Sequence, residues 1–273
     1  MADQIAARAV TNRTTRQTSS MGIGRQARMT WAMTVAEWRL LLREPSAFFF
    51  TLIFPILLLL VFGGIFGNDP ADGFEGVGPM DRSVPAYCVL IIGTLAIFNI
   101  PIQLATYREN GVLRRLQATP IRAWMIFAAQ LAVGFTVTAL GTVLMLLIGV
   151  LVFDLNLPQQ PFATVGALVL GVIGFSSAGF VIAALCRTSR QVQLVANFIY
   201  FPQLFLSGAS LPRDLFPNWL ERISQWLPLT QLTLLVQDLW VGDGWRTSSI
   251  IYLVAMTVIG ISVSVRLFRW EKS

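Results

Sequence analysis

Read between its charged residues, the chain falls into long uncharged apolar stretches. Residues 45–68 lie between Glu44 and Asp69, 83–107 between Arg82 and Arg108, 123–153 between Arg122 and Asp154, and 155–186 between Asp154 and Arg187; 191–212 and 247–265 follow. A bilayer-crossing helix needs about 20 mostly apolar residues. The pattern therefore predicts six spans, at about 45–67, 84–107, 123–153, 160–186, 191–211 and 247–266. The third and fourth are joined by a polar hairpin from Asp154 to Pro161, whose Pro158 and Pro161 stop both helices. A further apolar patch, 223–237, is free of charge for only 15 residues and contains Pro228. It is too short to cross and is expected to be re-entrant or interfacial.

Ahead of the first span, residues 25–44 read as an amphipathic helix. Trp31, Val35, Trp38 and Leu42 recur on one stripe, with Arg25, Arg28, Arg39 and Arg43 in a neighbouring sector and Glu37 and Glu44 on the far side. Tryptophans flanked by arginines suit a helix lying in the membrane interface, with lipid as its partner. Residues 1–24 are a polar tail with no apolar stretch, so no cleavable signal peptide is expected. The expected fold class is an all-α polytopic membrane protein: six transmembrane helices, an N-terminal interfacial helix and an external re-entrant helical segment.

Composition agrees with this pattern. The 273 residues are 55% hydrophobic and 12% charged, with a mean hydropathy of +0.66, which excludes a disordered chain and argues against a soluble globule. The pI near 10.1 would suggest nucleic acid in a soluble protein. Sorted by side, however, 16 basic and 5 acidic residues fall on one face of the membrane, and 4 basic and 9 acidic residues on the other. The positive-inside rule places both termini in the cytoplasm, and no nucleic acid is implied.

The missing residues narrow the chemistry. No charged residue lies inside the six stretches, which disfavours a proton-coupled antiporter or a charged-ring channel. Asn99, Gln103, Gln130, Asn197 and Gln203 either line a path or hydrogen-bond between helices. Without histidine, Ser–His and Cys–His nucleophile pairs and histidine-bearing zinc motifs are excluded. Gly174 to Ala178 faintly resembles a nucleophile elbow. Its setting, with Ala167, Gly171, Gly174 and Ala178 on one face, is better explained by close helix packing. Cys88 and Cys186 lie in apolar surroundings and suggest no disulfide framework. The sole lysine, Lys272, is penultimate and cannot serve a P-loop, so any ATP hydrolysis is expected in another chain.

Two segments carry a family resemblance. Arg108-Glu109-Asn110-Gly111, followed by Leu113-Arg114-Arg115-Leu116-Gln117-Ala118-Thr119-Pro120, resembles the R-E-x-G-x-L-x-x-L-x-x-T-P loop of ABC type-2 transporter permeases. The drug-resistance branch of daunorubicin-type exporters looks closest. Phe205-Leu206-Ser207-Gly208 through Pro212, Pro217, Trp219 and Pro228 to Thr230 is similar to that family's external region. The resemblance implies a coupling loop resting on an ATPase subunit, with Arg108, Glu109, Gly111, Arg114 and Arg115 in that loop and Leu113 and Leu116 filling the partner's groove. It implies an external gate over 212–229, built on Pro212, Pro217, Trp219, Trp226 and Pro228. It also implies a path lined by the second and fifth spans, making Phe98, Asn99, Asn197 and Phe201 candidates beside the plainer account of helix packing.

The chain is therefore expected to be the transport subunit, not an enzyme, of an exporter in the bacterial plasma membrane. It would pair as a homodimer with two copies of a separate ATPase. ATP and magnesium would be bound by that partner, with no cofactor or metal in this chain. An uncharged, aromatic-rich interior favours an amphipathic or hydrophobic cargo such as a drug, antibiotic or lipid. Lipid-linked polysaccharide is the alternative, and an intramembrane enzyme a distant third.

Overall fold

The computed structural model describes residues 23–69, 78–117, 121, 123–209 and 216–267. Every regular element among them is helical: α1 Ile23–Arg43, α2 Pro45–Phe66, α3 Pro79–Glu109, α4 Val112–Gln117, α5 Ala123–Phe153, α6 Pro161–Leu185, α7 Ser189–Leu206, α8 Asn218–Ser224, α9 Pro228–Val241 and α10 Thr247–Leu267. The chain is an all-α polytopic membrane protein. Five of these helices, α2, α3, α5, α6 and α10, are long and apolar enough to cross a bilayer. The fifth predicted span is represented by α7, whose 18 residues include Arg190, Gln191, Gln193, Asn197 and Gln203. At 1.5 Å per residue it is about 27 Å long, and its polar content keeps it below the hydropathy of the others.

At the centre stands α3, 31 residues long and the most buried of the five long apolar helices, touching α2, α5, α6, α7 and α9. Lipid-facing helices gain nothing hydrophobic from pairing with one another, so close van der Waals fit has to hold the bundle. The small-residue stripe of α6 supplies that fit: Gly171 meets Leu232 of α9 and Ile92 of α3, while Gly174 meets Met256 and Thr257 of α10. Gly179 lies directly against the carbonyl of Ala96 in α3.

Both α2 and α3 contain one π turn, at Phe49–Ile53 and Leu95–Asn99. Each precedes a proline, Pro55 and Pro101. A proline lacks an N–H and clashes with the carbonyl four residues back. Those carbonyls belong to Thr51 and Ile97, the middle residues of the two π turns, where the widened ladder accommodates them.

The apolar patch beyond residue 217 forms two helices. α9 is 14 residues long, about 21 Å, and buries Leu229, Leu232, Leu235, Val236, Leu239 and Trp240. Its first turn lies beside mid-α3, where Leu229 touches Gly93. Its last turn reaches the bundle end, where the indole N–H of Trp240 donates to the Asn156 carbonyl at 3.2 Å. The helical segment that begins at Pro228 thus rises through one half of the bundle only and runs on to Val241, past the expected end at 229.

α1 packs along α5 and turns Thr34, Glu37 and Leu41 toward the bundle. Trp31 and Leu42 of the expected stripe remain 69% and 58% exposed. Trp38 is half-buried and donates from its indole to Thr136 at 3.1 Å.

Candidate functional site

The segment after α3 forms one structure with the bundle end that carries α1. Helix α3 stops because Gly111 adopts φ +66°, a left-handed conformation open to glycine at little cost. The Gly111 N–H returns to the Arg108 carbonyl at 3.1 Å, and Arg115 N–H bonds the Gly111 carbonyl at 3.1 Å as α4 begins. Leu113 is buried among Ile100, Leu104, Ile126, Phe180 and Ala183, with Leu116 packed at the edge. Those two leucines therefore fill a groove of their own chain. Arg114 and Arg115 stand exposed on the opposite side of the short helix.

Arg108, half-buried, and Glu109, exposed, both bond to the neighbouring helices. The Arg108 guanidinium donates to the carbonyls of Cys186 at 2.8 Å and Ala183 at 3.1 Å. Glu109 accepts the Ser189 N–H at 3.0 Å and the Ser189 hydroxyl at 2.8 Å. Thr188 caps the same helix, α7, by accepting the Gln191 N–H at 3.2 Å, and Gln191 reaches back to the Arg187 N–H at 3.0 Å.

Beside this segment lies a polar chain that sequence reasoning missed. Glu37 of α1 is buried and accepts the Tyr107 hydroxyl at 2.8 Å, which in turn accepts from Gln103 at 2.9 Å. Gln130 of α5 faces the same carboxylate, and its Nε2 has no hydrogen-bond partner. Burial raises the Glu37 carboxyl to about 6, against the smaller opposing effect of the Tyr107 hydroxyl and the nearby Gln130 amide. A helical wheel sets Glu37 opposite the arginines, but cannot say that this side meets protein.

The four path candidates are divided. Phe98 meets Tyr200 of α7 edge-on, with ring centroids 5.1 Å apart, while Asn99 donates to Thr51 of α2 at 2.9 Å. Asn197 is half-buried on α7, and Phe201 is 51% exposed on its outer side. Further polar contacts of α7 come from Tyr200, bonded to Thr94 of α3 at 2.7 Å, and from Gln203, which accepts the Leu229 N–H of α9 at 3.1 Å.

Of the external-gate residues, Pro212 lies outside the described residues. Pro217 caps α8 and Pro228 opens α9. Trp219 and Trp226 are exposed, and the Trp226 carbonyl accepts the Tyr252 hydroxyl at 2.8 Å. At the end of α9 an open cleft of about 670 Å³ is lined by Asn68, Asp69, Asp81, Asp154, Asn156 and Trp240, among others. Asp81 is buried there and accepts both the backbone N–H of Asn156, at 2.8 Å, and its side-chain amide, at 2.7 Å.

Comparison with known proteins accounts for this architecture. The chain is 27% identical over 167 residues to the probable multidrug ABC transporter permease YbhR of Escherichia coli, covering 59% of this chain and 44% of YbhR. It is 26% identical over 210 residues to the inner membrane transport permease YhhJ of the same organism, covering 75% of this chain and 53% of YhhJ. The chain thus spans about half the length of these relatives. Residues 28–238, from within α1 to within α9, match the family described as ABC-2 type transporter. The chain belongs to the ABC-2 type transporter family and is a multi-pass membrane component of an ABC transporter.

Proposed function

We propose that the chain is the permease subunit of an ABC exporter that moves an amphipathic or hydrophobic substrate out of the cytoplasm or inner leaflet by alternating access. The carrying observation is α4: a short helix sealed to the bundle by Leu113, with Arg114 and Arg115 facing outward at the end that holds α1. Such a helix offers a separate ATPase a firm cationic handle, so that a push on it moves the bundle. The excess of basic residues on that side supports a reading in which that end, with both termini, lies on the cytoplasmic side of a bacterial plasma membrane. Two copies of the permease would pair, each with an ATPase, and the segment 212–229 would close the outer exit. The multidrug name of YbhR supports an amphipathic cargo.

The test is reconstitution with the ATPase in proteoliposomes and transport of an amphipathic fluorescent dye. Vanadate-sensitive dye movement that needs both subunits is expected. Arg114→Ala should lower stimulated ATP hydrolysis while the protein still inserts. Loss of surface glycan on gene deletion, without any dye transport, would favour the polysaccharide reading instead.

A further inference from the structure

We propose that Arg108 and Glu109 are positioning residues: they join the end of α3 to the end of α6 and the start of α7, so that a displacement of α4 is carried into α7. The inference rests on the reading of α4 as the ATPase contact. Every helix leaves unpaired carbonyls at its C-terminus and unpaired N–H groups at its N-terminus, with partial negative and positive charge respectively. The chain between α6 and α7 is only three residues long, Cys186 to Thr188, so both kinds of end lie side by side. Two adjacent residues of opposite charge meet them in the matching sense. Arg108 donates to the terminal carbonyls Ala183 and Cys186, and Glu109 accepts from the first N–H and the hydroxyl of Ser189.

On the other side of this junction α4 follows at once, with only Asn110 and Gly111 between it and α3. Both charged groups are thus engaged within the chain, with Glu109 remaining exposed at the surface. Leu113 holds α4 to Ala183 and Phe180 of α6, so α4 cannot shift without moving the α6–α7 turn or breaking these bonds. α7 carries Tyr200 and Gln203, which meet α3 and α9 at the middle of the bundle. The motion delivered to Ser189 is thereby delivered to the start of the re-entrant helix.

The experiment uses the full chain assembled with its ATPase in lipid nanodiscs, with hydrogen exchange compared between the nucleotide-free complex and the complex trapped by ATP and vanadate. In the wild type, trapping is expected to change exchange at both 112–117 and 189–195. In Glu109→Ala, the change at 112–117 should persist and that at 189–195 should be lost. Glu109→Gln, which keeps an acceptor for the Ser189 N–H, should restore it in part. Ser189→Ala, a mild substitution that removes one of the two bonds, should weaken it without impairing assembly. A residue that merely stabilised α7 would alter nucleotide-free exchange and leave the trapping response intact. A full response at 189–195 in both Glu109→Ala and Ser189→Ala overturns the inference while leaving the role of α4 standing. No response at 112–117 in the wild type overturns that role and the inference together.

Discussion

The two helices expected to line the path, α3 and α7, are built on opposite plans. α3 is long, apolar and surrounded by five other helices; α7 is short, carries four amide side chains, and turns Leu194, Phe198, Phe201 and Phe205 outward. Their shared seam combines the Phe98–Tyr200 ring contact, the Thr94–Tyr200 hydrogen bond and the Glu109–Ser189 bonds with apolar packing of Val192, Ala196 and Leu204. The difference separates support from movement. A helix enclosed on all sides cannot shift without repacking its neighbours, whereas one that packs a single face, Val192, Ala196, Tyr200 and Leu204, and leaves the other exposed has fewer neighbours to repack. α7 is the element suited to move, and α3 the frame against which it moves.

Substitution tests this contrast most severely at Gly179. A side chain there runs into the Ala96 carbonyl, backbone that cannot swing aside. Gly179→Leu should destabilise by about 3 kcal/mol and abolish accumulation in the membrane, as read by fluorescence-detected size exclusion. Normal accumulation would show that α3 is less confined than described.

Next in size is the pH dependence of the contact between α1 and α3. Glu37 is raised from the usual 4.5 to about 6. The folded state therefore binds its proton more tightly than the unfolded chain. The stabilisation is fully present below 4.5 and is lost as pH rises through 6, about 2 kcal/mol in all. Melting curves in detergent should show wild type gaining stability relative to Glu37→Gln as pH falls from 7.5 to 4.5. Parallel curves would remove Glu37 from the interface.

The smallest effects sharpen the α7 side. Tyr200→Phe leaves the Thr94 hydroxyl its second bond, to the Leu90 carbonyl at 2.9 Å, and should cost only about 1 kcal/mol. Phe201→Ala, on the outer side of the same helix, should change the melting temperature hardly at all in detergent. A larger loss at Phe201 than at Tyr200 would reverse the assignment of inner and outer faces.

Much of this layout was legible in the spacing of charges. Asp154, Arg187 and Glu44 stand where helices end or begin, because a charge within the hydrocarbon is costly and one at its border is not. The capping pair Thr188 and Gln191 starts α7 at Ser189, ahead of the expected 191, because a charge count takes no account of Arg190 lying in the first turn. The length of α9 was not legible: its body has no charge before Asp238, and a buried re-entrant helix resembles any apolar run. The partners of Glu109 and Glu37 were hidden for a different reason. Ser189 lies 80 residues from Glu109, and Tyr107 lies 70 from Glu37. Local pattern can show that a side chain is polar, but only the assembled bundle shows which way it faces.

The π turn in α3 sets a rotational phase. One extra residue in a helical ladder swings everything beyond it by about 100° around the axis. Arg108 and Glu109 point at the ends of α6 and α7 only with that offset included. Winding Leu95–Asn99 into a regular α-helical ladder, with no residue removed, would leave every motif in the sequence intact while turning both charges off their targets. The alignment of this junction is therefore determined more than one helical turn away from it, by a proline that has no chemistry of its own.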